Sequence, residues 1–295
     1  MMQARRSPID VVGDRLRGRR RLQLVLLLAA PLGWLVVAYL GSLGVLVFNA
    51  LWRFDRGAQV VVKEIGLSNF SELWHGSVYR TITIRTIGVA AAVTVTTAVL
   101  AFPIAFTMAK LAGPRARRLL IIAVLLPLWA SYVAKVYAWR TILAEDGVLN
   151  WMLDPIGVKG PGLGRSLVGP WLVLTYLWLP YMILPIYAGL ERIPDSLIDA
   201  SSDLGASPFT TFRKVILPLA FPAVVAGSIF TFSLSLGDYI TPTLVSSVQF
   251  IGNVIYAQLG VGGNLPFAAA YVTVPMVIMI AYLLVARRLG AFENL

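Results

Sequence analysis

Few side chains in this sequence could carry out covalent or metal chemistry. The chain has no cysteine and a single histidine, His75, which we interpret as a solvated loop residue. These counts exclude thiolate metal sites, a cysteine nucleophile and clusters of histidine ligands, and they make a Ser/His/Asp triad close to impossible. The phosphate-binding pattern G-x-x-x-x-G-K-[ST] does not occur. We therefore expect no catalytic residue, no metal site and no cofactor.

Four other side chains are candidates for contact with a solute. Asp238 is the one acidic residue near the end of a long apolar stretch. It could line a pathway and attract a cation, or it could cap a helix or brace a gate, since charged groups near a membrane interface need not be buried. Tyr239 and Thr241 would share either role. Trp139 could offer an aromatic face to an ammonium group, although tryptophan also favours interfaces.

The composition indicates a chain that is embedded in a lipid bilayer. Hydrophobic residues make up 58% of the 295 residues and charged residues only 13%, whereas soluble domains carry about 25% charged residues. The net charge of +11 could suggest nucleic-acid binding. The basic residues, however, stand in short blocks beside long apolar stretches, which is the pattern of membrane topology. We therefore predict an integral membrane protein with the lipid bilayer, and no nucleic acid, as a partner.

Six stretches are long and apolar enough to cross a bilayer, which takes about 20 residues. They cover residues 22–48, 87–109, 119–138, 167–190, 219–236 and 265–286. The first is longer than the hydrophobic part of a signal peptide, about 7–15 residues, so we interpret it as a retained span. The prediction is an all-α integral membrane fold with six transmembrane helices.

Lysine and arginine predict the orientation. With the N-terminus in the cytoplasm, most of the 25 basic residues fall on the inner side, as the positive-inside rule requires. We expect both termini in the cytoplasm and four parts to the chain. They are a basic cytoplasmic segment (1–21), the first transmembrane helix with an outer segment (22–80), a transmembrane domain of five helices (81–288) and a cytoplasmic tail (289–295).

One predicted inner loop, residues 191–218, is polar and mostly lacks glycine and proline. Pro194 predicts a helix that begins near Asp195, where an acidic side chain suits the helix dipole. Gly205 is expected to break this helix.

A second short helix should follow the break. Ser207 and Pro208 are typical of an N-cap and the first helical position, and this helix is expected to run toward Pro218. The elbow between the two helices would be apolar and exposed on a lone subunit, which suits insertion into a groove of a partner. Its apolar residues are Leu204, Ala206 and Phe209. An ordinary amphipathic loop is the alternative interpretation.

The same loop resembles the signature of ABC-importer permeases, which is E-A-A, three residues, G, nine residues, then I-x-L-P. Residues 199–201 read D-A-S at the first positions, Gly205 stands at the glycine, and residues 215–218 read V-I-L-P at the end. In that family the loop contains the coupling helix that docks into the ATPase subunit. The resemblance therefore assigns ATPase coupling to Asp199, Ala200, Ser201, Asp203, Leu204, Gly205, Ala206, Ser207, Phe209, Leu217 and Pro218.

Four further stretches resemble the first permease of spermidine/putrescine-type systems. They are residues 126–139, residues 147–150 (G-V-L-N), residues 179–188 and residues 237–242 (G-D-Y-I-T-P). With the loop they cover about residues 80–286. Lys135 stands where these relatives usually have arginine and Arg85 where they usually have asparagine. Relatives of this subtype also carry phosphonates and opines, so the sequence leaves the solute open.

The resemblance implies a type I importer permease, a binding-protein-dependent transport component of a bacterial inner membrane. Such a subunit forms half of the pathway for a small solute, here polyamine-like, and has no ATPase site of its own. Its implied partners are a pair of ATP-binding subunits, a second and non-identical permease subunit, and an extracytoplasmic solute-binding protein. The alternatives are the same transporter for a phosphonate, opine or other small organic solute, a stand-alone channel or secondary transporter, and a membrane-embedded enzyme.

The loop assignment predicts the behaviour of Gly205→Asp. This substitution should abolish solute-stimulated ATP hydrolysis while membrane insertion persists, because it alters the turn and not the spans. Hydrolysis is measured on the assembled transporter, and insertion is measured in isolated membranes. Normal coupling in the variant would contradict the assignment of this loop.

Overall fold

A computed structural model describes residues 20–157 and 166–290, apart from the side chains of residues 20–23 and 26. Most of the expected basic N-terminal segment (1–21), most of the tail (289–295) and residues 158–165 lie outside the described residues. In chain order the helices are α1 (Arg20–Trp34), α2 (Gly41–Asn49), α3 (Ser68–His75), α4 (Ser77–Phe106), α5 (Pro114–Trp129), α6 (Tyr132–Ile142), α7 (Val148–Leu153), α8 (Val168–Glu191), α9 (Asp195–Asp203), α10 (Pro208–Thr211), α11 (Leu217–Gly237), α12 (Ile240–Val245), α13 (Ile251–Leu259) and α14 (Leu265–Arg288).

Short π-helical and 3-10 segments join several of these helices. The π-helical segments are Leu35–Leu40, Thr107–Leu111 and Phe212–Ile216, and the 3-10 segment is Asp154–Ile156. Each π segment extends an α-helix without ending it, so the spans are longer than their α-helical parts. Among the described residues, five continuous helices are then long and apolar enough to cross a membrane: Leu27–Asn49, Ser77–Leu111, Val168–Glu191, Pro208–Gly237 and Leu265–Arg288, here spans one, two, four, five and six.

Span three is a bent pair of helices. The sequence predicts one span over residues 119–138, and the structure forms it from two helices, α5 and α6, that meet at an angle of 92°. Pro127 lies just before the bend and cannot donate a backbone hydrogen bond. The Pro127 carbonyl accepts the Ala130 amide at 3.3 Å and also the Lys135 Nζ atom of α6 at 3.1 Å, so this carbonyl is hydrogen-bonded from across the bend. Counting this pair as one span confirms the prediction of six.

A small hairpin departs from the all-α prediction. Strands β1 (Arg53–Asp55) and β2 (Val60–Val62) pair antiparallel between spans one and two, with Phe54 opposite Val61. The Asp55 carboxylate accepts hydrogen bonds from the backbone of Gly57 (2.8 Å) and Ala58 (3.2 Å), which holds the turn and lowers the pKa of Asp55. We call this end of the bundle the hairpin end, and the end that carries residues 191–218 the loop end.

His75 is part of α3 rather than of a loop. It is exposed at the last position of the helix, where its Nδ1 atom lies 3.0 Å from the Ser71 carbonyl. The prediction that His75 lies in a loop was therefore wrong, whereas the prediction that it is exposed to solvent is confirmed.

Spans two, four and five form the core of the bundle, while span one stays at its edge. A buried cluster joins the three core spans near the loop end: Ala101, Ala105, Met108, Ala109, Met182, Ile183, Ile186, Leu190, Ile193, Ile216 and Ala220. In span one, none of the described side chains is buried. Lipid replaces a protein core around such a helix, because hydrocarbon solvates apolar side chains.

Two glycines allow spans four and five to approach closely. A Cβ atom on Gly189 would lie 2.3 Å from the Ala223 Cβ atom, and one on Gly227 would lie 2.8 Å from Met182 Sδ. Close backbone contact of this kind supplies van der Waals packing between membrane helices.

The close contact predicts that Gly189→Ala destabilises the bundle by about 1–3 kcal/mol, as overpacking does. The expected result is a lower melting temperature of the detergent-solubilised chain. Gly88→Ala is the matched control, because a Cβ atom there has no neighbour within 4 Å. Equal stability of the two variants would contradict the proposed closeness of spans four and five.

Candidate functional site

The loop between spans four and five begins with the helix that the sequence predicts. Helix α9 starts at Asp195 with Pro194 at its N-cap. At its other end, Gly205 has a φ of +76°, a left-handed conformation that side chains with a Cβ atom rarely adopt. The Gly205 amide donates to the Ser202 carbonyl (2.9 Å) and the Ala206 amide to the Ser201 carbonyl (3.1 Å). This pair of bonds is a Schellman motif, so the predicted glycine break is confirmed.

The second helix starts as predicted but does not stop near Pro218. Ser207 Oγ accepts the Thr210 amide at 3.3 Å, and Pro208 takes the first position. The helix then continues through the π segment Phe212–Ile216 into span five, which runs without a break over Pro208–Gly237. In the π segment, the Leu217 amide donates to the Phe212 carbonyl, five residues back, so the chain reaches Pro218 without ending the helix. Span five therefore begins in the loop, 11 residues before the predicted start at residue 219.

A hydrogen bond between two hydroxyl groups, here called the clasp, joins the two arms of the loop. Ser201 Oγ in α9 and Thr211 Oγ1 in α10 share a hydrogen bond at 2.9 Å, and Thr211 is buried. The clasp and the Schellman turn together fix α9 against the start of span five.

The tip of the loop presents large apolar side chains without cover. Leu204 is 88% exposed and Phe209 is 70% exposed. Ala206 is half-buried, which corrects its expected exposure, because the turn folds it inward. The remaining predicted coupling residues divide into exposed Asp199, Ala200, Asp203, Gly205, Ser207 and Pro218, and half-buried Ser201 and Leu217. Exposed apolar groups at a turn indicate contact with another molecule.

The root of the loop is tied to the loop end of span two. Lys110 Nζ donates to the Ile193 carbonyl at 2.6 Å and to the Asp195 carboxylate at 2.7 Å. This partner lowers the pKa of Asp195, mainly through the hydrogen bond and then through charge. A lowered carboxyl pKa stabilises the fold above the ordinary value of about 3.9, and the contribution is lost as the pH falls through the lowered pKa. The tie is therefore complete at neutral pH.

A second basic residue braces the same end of the bundle. Arg117 in α5 donates to the carbonyls of Met108 and Ala109, each at 3.0 Å, and lies 3.5 Å from the Glu191 carboxylate. Span three is thus attached at its start to both span two and span four.

At the hairpin end, Asp238 follows directly on span five and is 9% exposed. Its Oδ1 atom accepts the backbone amides of Ile240 (2.9 Å) and Thr241 (3.2 Å), which caps α12. Its Oδ2 atom accepts the Tyr132 hydroxyl. The Tyr132 hydroxyl also lies 2.8 Å from Thr241 Oγ1. These contacts favour the interpretation that Asp238 caps α12 and braces this end of the bundle.

An open cavity of about 390 Å³ lies beside Asp238. Its lining residues are Tyr132, Trp178, Ser233, Leu234, Gly237, Asp238, Tyr239 and Ile240. Tyr132 stacks on Trp178 with 5.9 Å between the ring centres. Sequence reasoning missed Tyr132, because no local pattern marks a residue whose partner is 106 positions away.

The other two predicted pathway residues do not line this cavity. Thr241 is fully buried behind Asp238. Trp139 packs against Tyr176, with 5.4 Å between the ring centres, in the apolar cluster that also contains Tyr132 and Trp178, but it does not itself line the cavity. Among the residues that the structure describes, no group of three acidic or histidine side chains is placed to hold a metal ion.

Comparisons with known proteins agree with this architecture. Solved structures of ABC transporters share the fold at low sequence identity. A bacterial alginate ABC transporter, in complex with a periplasmic protein carrying an alginate pentasaccharide, matches with a TM-score of 0.68 at 18% identity, over 94% of this chain and 97% of that one. The methionine ABC transporter MetNI, in an inward-facing form, matches with a TM-score of 0.57 at 17% identity, over 75% of this chain and 96% of that one.

Sequence relatives are closer. The inner membrane ABC transporter permease protein YdcU of Escherichia coli K12 is 46% identical, over 93% of this chain and 92% of its own length. The spermidine/putrescine permease protein PotB of Haemophilus influenzae is 30% identical, over 85% and 88%. Residues 104–292 match the model of one family, described as the binding-protein-dependent transport system inner membrane component. This chain therefore belongs to the family of inner membrane permease components of binding-protein-dependent ABC transport systems.

Proposed function

We propose that this chain forms half of the pathway of an ATP-driven importer for a small polyamine-like solute. The observation that carries the proposal is the loop at residues 191–218, whose signature, Schellman turn and uncovered tip coincide. The relatives named as spermidine/putrescine permeases favour a polyamine over a phosphonate or an opine.

The energy for transport comes from a separate polypeptide. We expect no ATPase site on this chain, because it lacks the phosphate-binding pattern of ATPases. A pair of ATP-binding subunits would receive Leu204 and Phe209 in a groove. A second, non-identical permease subunit would complete the pathway, and an extracytoplasmic binding protein would deliver the solute to the hairpin end.

The loop end would face the cytoplasm, with both termini on that side. Basic side chains cluster at this end, at Arg115, Arg118, Arg213 and Lys214, and at Arg287 and Arg288 in the last turn of α14. At the hairpin end two arginines pair with acidic residues, Arg53 with Glu64 at 3.2 Å and Arg56 with Glu72 at 2.7 Å. An excess of lysine and arginine in the short connections is typical of the cytoplasmic side of a membrane, which supports this orientation.

The cavity beside Asp238 is the best-supported place for solute contact on this chain. A polyamine carries ammonium groups, and aromatic faces attract them most strongly in water-poor sites. Tyr132, Trp178 and Tyr239 supply such faces around one carboxylate. The carboxylate already accepts three hydrogen bonds, so it acts on a passing cation mainly through its charge.

Solute identity is tested with the reconstituted transporter. The chain is purified with the partners that co-purify and is combined with the cognate binding protein. Putrescine or spermidine is expected to stimulate ATP hydrolysis and to enter proteoliposomes, while a phosphonate and an opine are not. Stoichiometric co-purification of an ATPase is required for the proposal. Uptake by the isolated chain without any ATPase would contradict it.

The two roles of Asp238 are separated by two substitutions. Asp238→Ala removes the cap and the Tyr132 partner and should cost about 1–2 kcal/mol of stability, measured as a lower melting temperature. Asp238→Asn keeps an acceptor oxygen for the cap and removes the charge. It should remain nearly as stable as the wild type while polyamine uptake falls. Unchanged uptake in the folded Asp238→Asn variant would exclude a charge-based role in the pathway.

A further inference from the structure

Lys110 is a nearly buried basic residue that the transport signature does not include. Its side chain is only 10% exposed, at the loop end of span two. A lysine ammonium is strongly hydrated, so it is costly to bury without partners. Here its partners are the Ile193 carbonyl at 2.6 Å and the Asp195 carboxylate at 2.7 Å, about 85 residues away along the chain. Lys110 thus links span two to the loop through an ion pair and a hydrogen bond, although the two elements are distant in sequence.

Both acceptors of Lys110 belong to the root of the loop. Ile193 is buried and directly precedes Pro194, and Asp195 is the first residue of α9. A cation at a helix N-terminus opposes the helix dipole, so Lys110 does not serve to stabilise α9 itself. Its effect is to hold the start of α9 at one position against span two.

Span two is well placed to pass a displacement on to the bundle. The residue before Lys110 is Ala109, which is buried with Met108 in the cluster that joins spans two, four and five. The loop itself is continuous with spans four and five through the backbone. The Lys110 contact adds span two as a third element that must follow any movement of α9.

We propose that Lys110 is a positioning residue that ties the coupling helix α9 to span two. Movement of α9 by the ATPase partner then moves all three core spans together. The inference rests on the proposed function of the loop. A tie of this kind transmits a conformational change only if it keeps α9 and span two in register in both states, so its loss weakens coupling rather than assembly.

The test is Lys110→Met in the complete transporter with its binding protein, in proteoliposomes. Methionine keeps much of the apolar side chain and removes the charge and the donors. The ATPase should co-purify in the wild-type ratio, while solute taken up per ATP hydrolysed falls about fivefold or more, the lower end of allosteric coupling. Lys110→Arg should restore part of the ratio. Arg118→Met is the matched control, because Arg118 is an exposed basic residue of the same connection.

If the assembled Lys110→Met transporter takes up as much solute per ATP hydrolysed as the wild type, the proposal is overturned. If that variant does not assemble, Asp195→Asn is the test. It weakens the contact with Lys110 by changing an exposed side chain. It should also lower the amount of solute taken up per ATP hydrolysed. An unchanged ratio in Asp195→Asn would then overturn it.

A further readout separates this inference from the proposed function. A spin label on a single cysteine at the exposed position of Ser202 reports the mobility of α9 without any ATPase. Lys110→Met should increase that mobility, and Arg118→Met should not. Failure of the proposed function would show instead as a wild-type chain without an ATPase partner or solute-dependent hydrolysis. Equal mobility in Lys110→Met and the wild type would contradict the tie itself.

Discussion

The left-handed backbone at Gly205 is the constraint on which the loop depends. It lets the chain reverse within two residues while the last carbonyls of α9 remain hydrogen-bonded. The reversal projects Leu204 and Phe209 outward together, and it brings Ser201 within hydrogen-bond distance of Thr211. A Cβ atom at Gly205 would meet no neighbour, so the requirement for glycine comes from the backbone conformation and not from crowding.

The core links this loop to the other end of the molecule. Span five is one helix from Pro208 to Gly237, so the second arm of the loop and the residue before Asp238 belong to the same continuous helix. Spans four and five are held at close range by Gly189 and Gly227. At the far end, the Tyr132 hydroxyl joins span three to Asp238. A displacement at the loop therefore has a continuous packed route to the cavity at the hairpin end.

The helix ends of the loop could be predicted from the sequence, because they depend on contacts between residues that are close along the chain. Pro194, Gly205 and the Ser207–Pro208 pair set helix ends through contacts within a few residues, and the structure places each as expected. The bend in span three was not predicted, because residues 119–138 form one apolar stretch in the sequence and the contact of Lys135 with the Pro127 carbonyl forms only across the bend. The hairpin was also missed, since its strands are only three residues long and Val60–Val62 shows no alternation. The contacts of Lys110 and Tyr132 span 83 residues or more, beyond any local pattern.

If the tip at Leu204 lies in the cytoplasm against an ATPase subunit, as we propose, its access to reagents depends on the side of the membrane and on the bound ATPase. Because the chain has no cysteine, Leu204→Cys introduces a unique thiol that a membrane-impermeant maleimide can label. The account predicts labelling in inverted membrane vesicles stripped of the ATPase, protection when the ATPase is bound, and no labelling from the outside of intact cells. Labelling from the outside, or equal labelling with and without the ATPase, would contradict it.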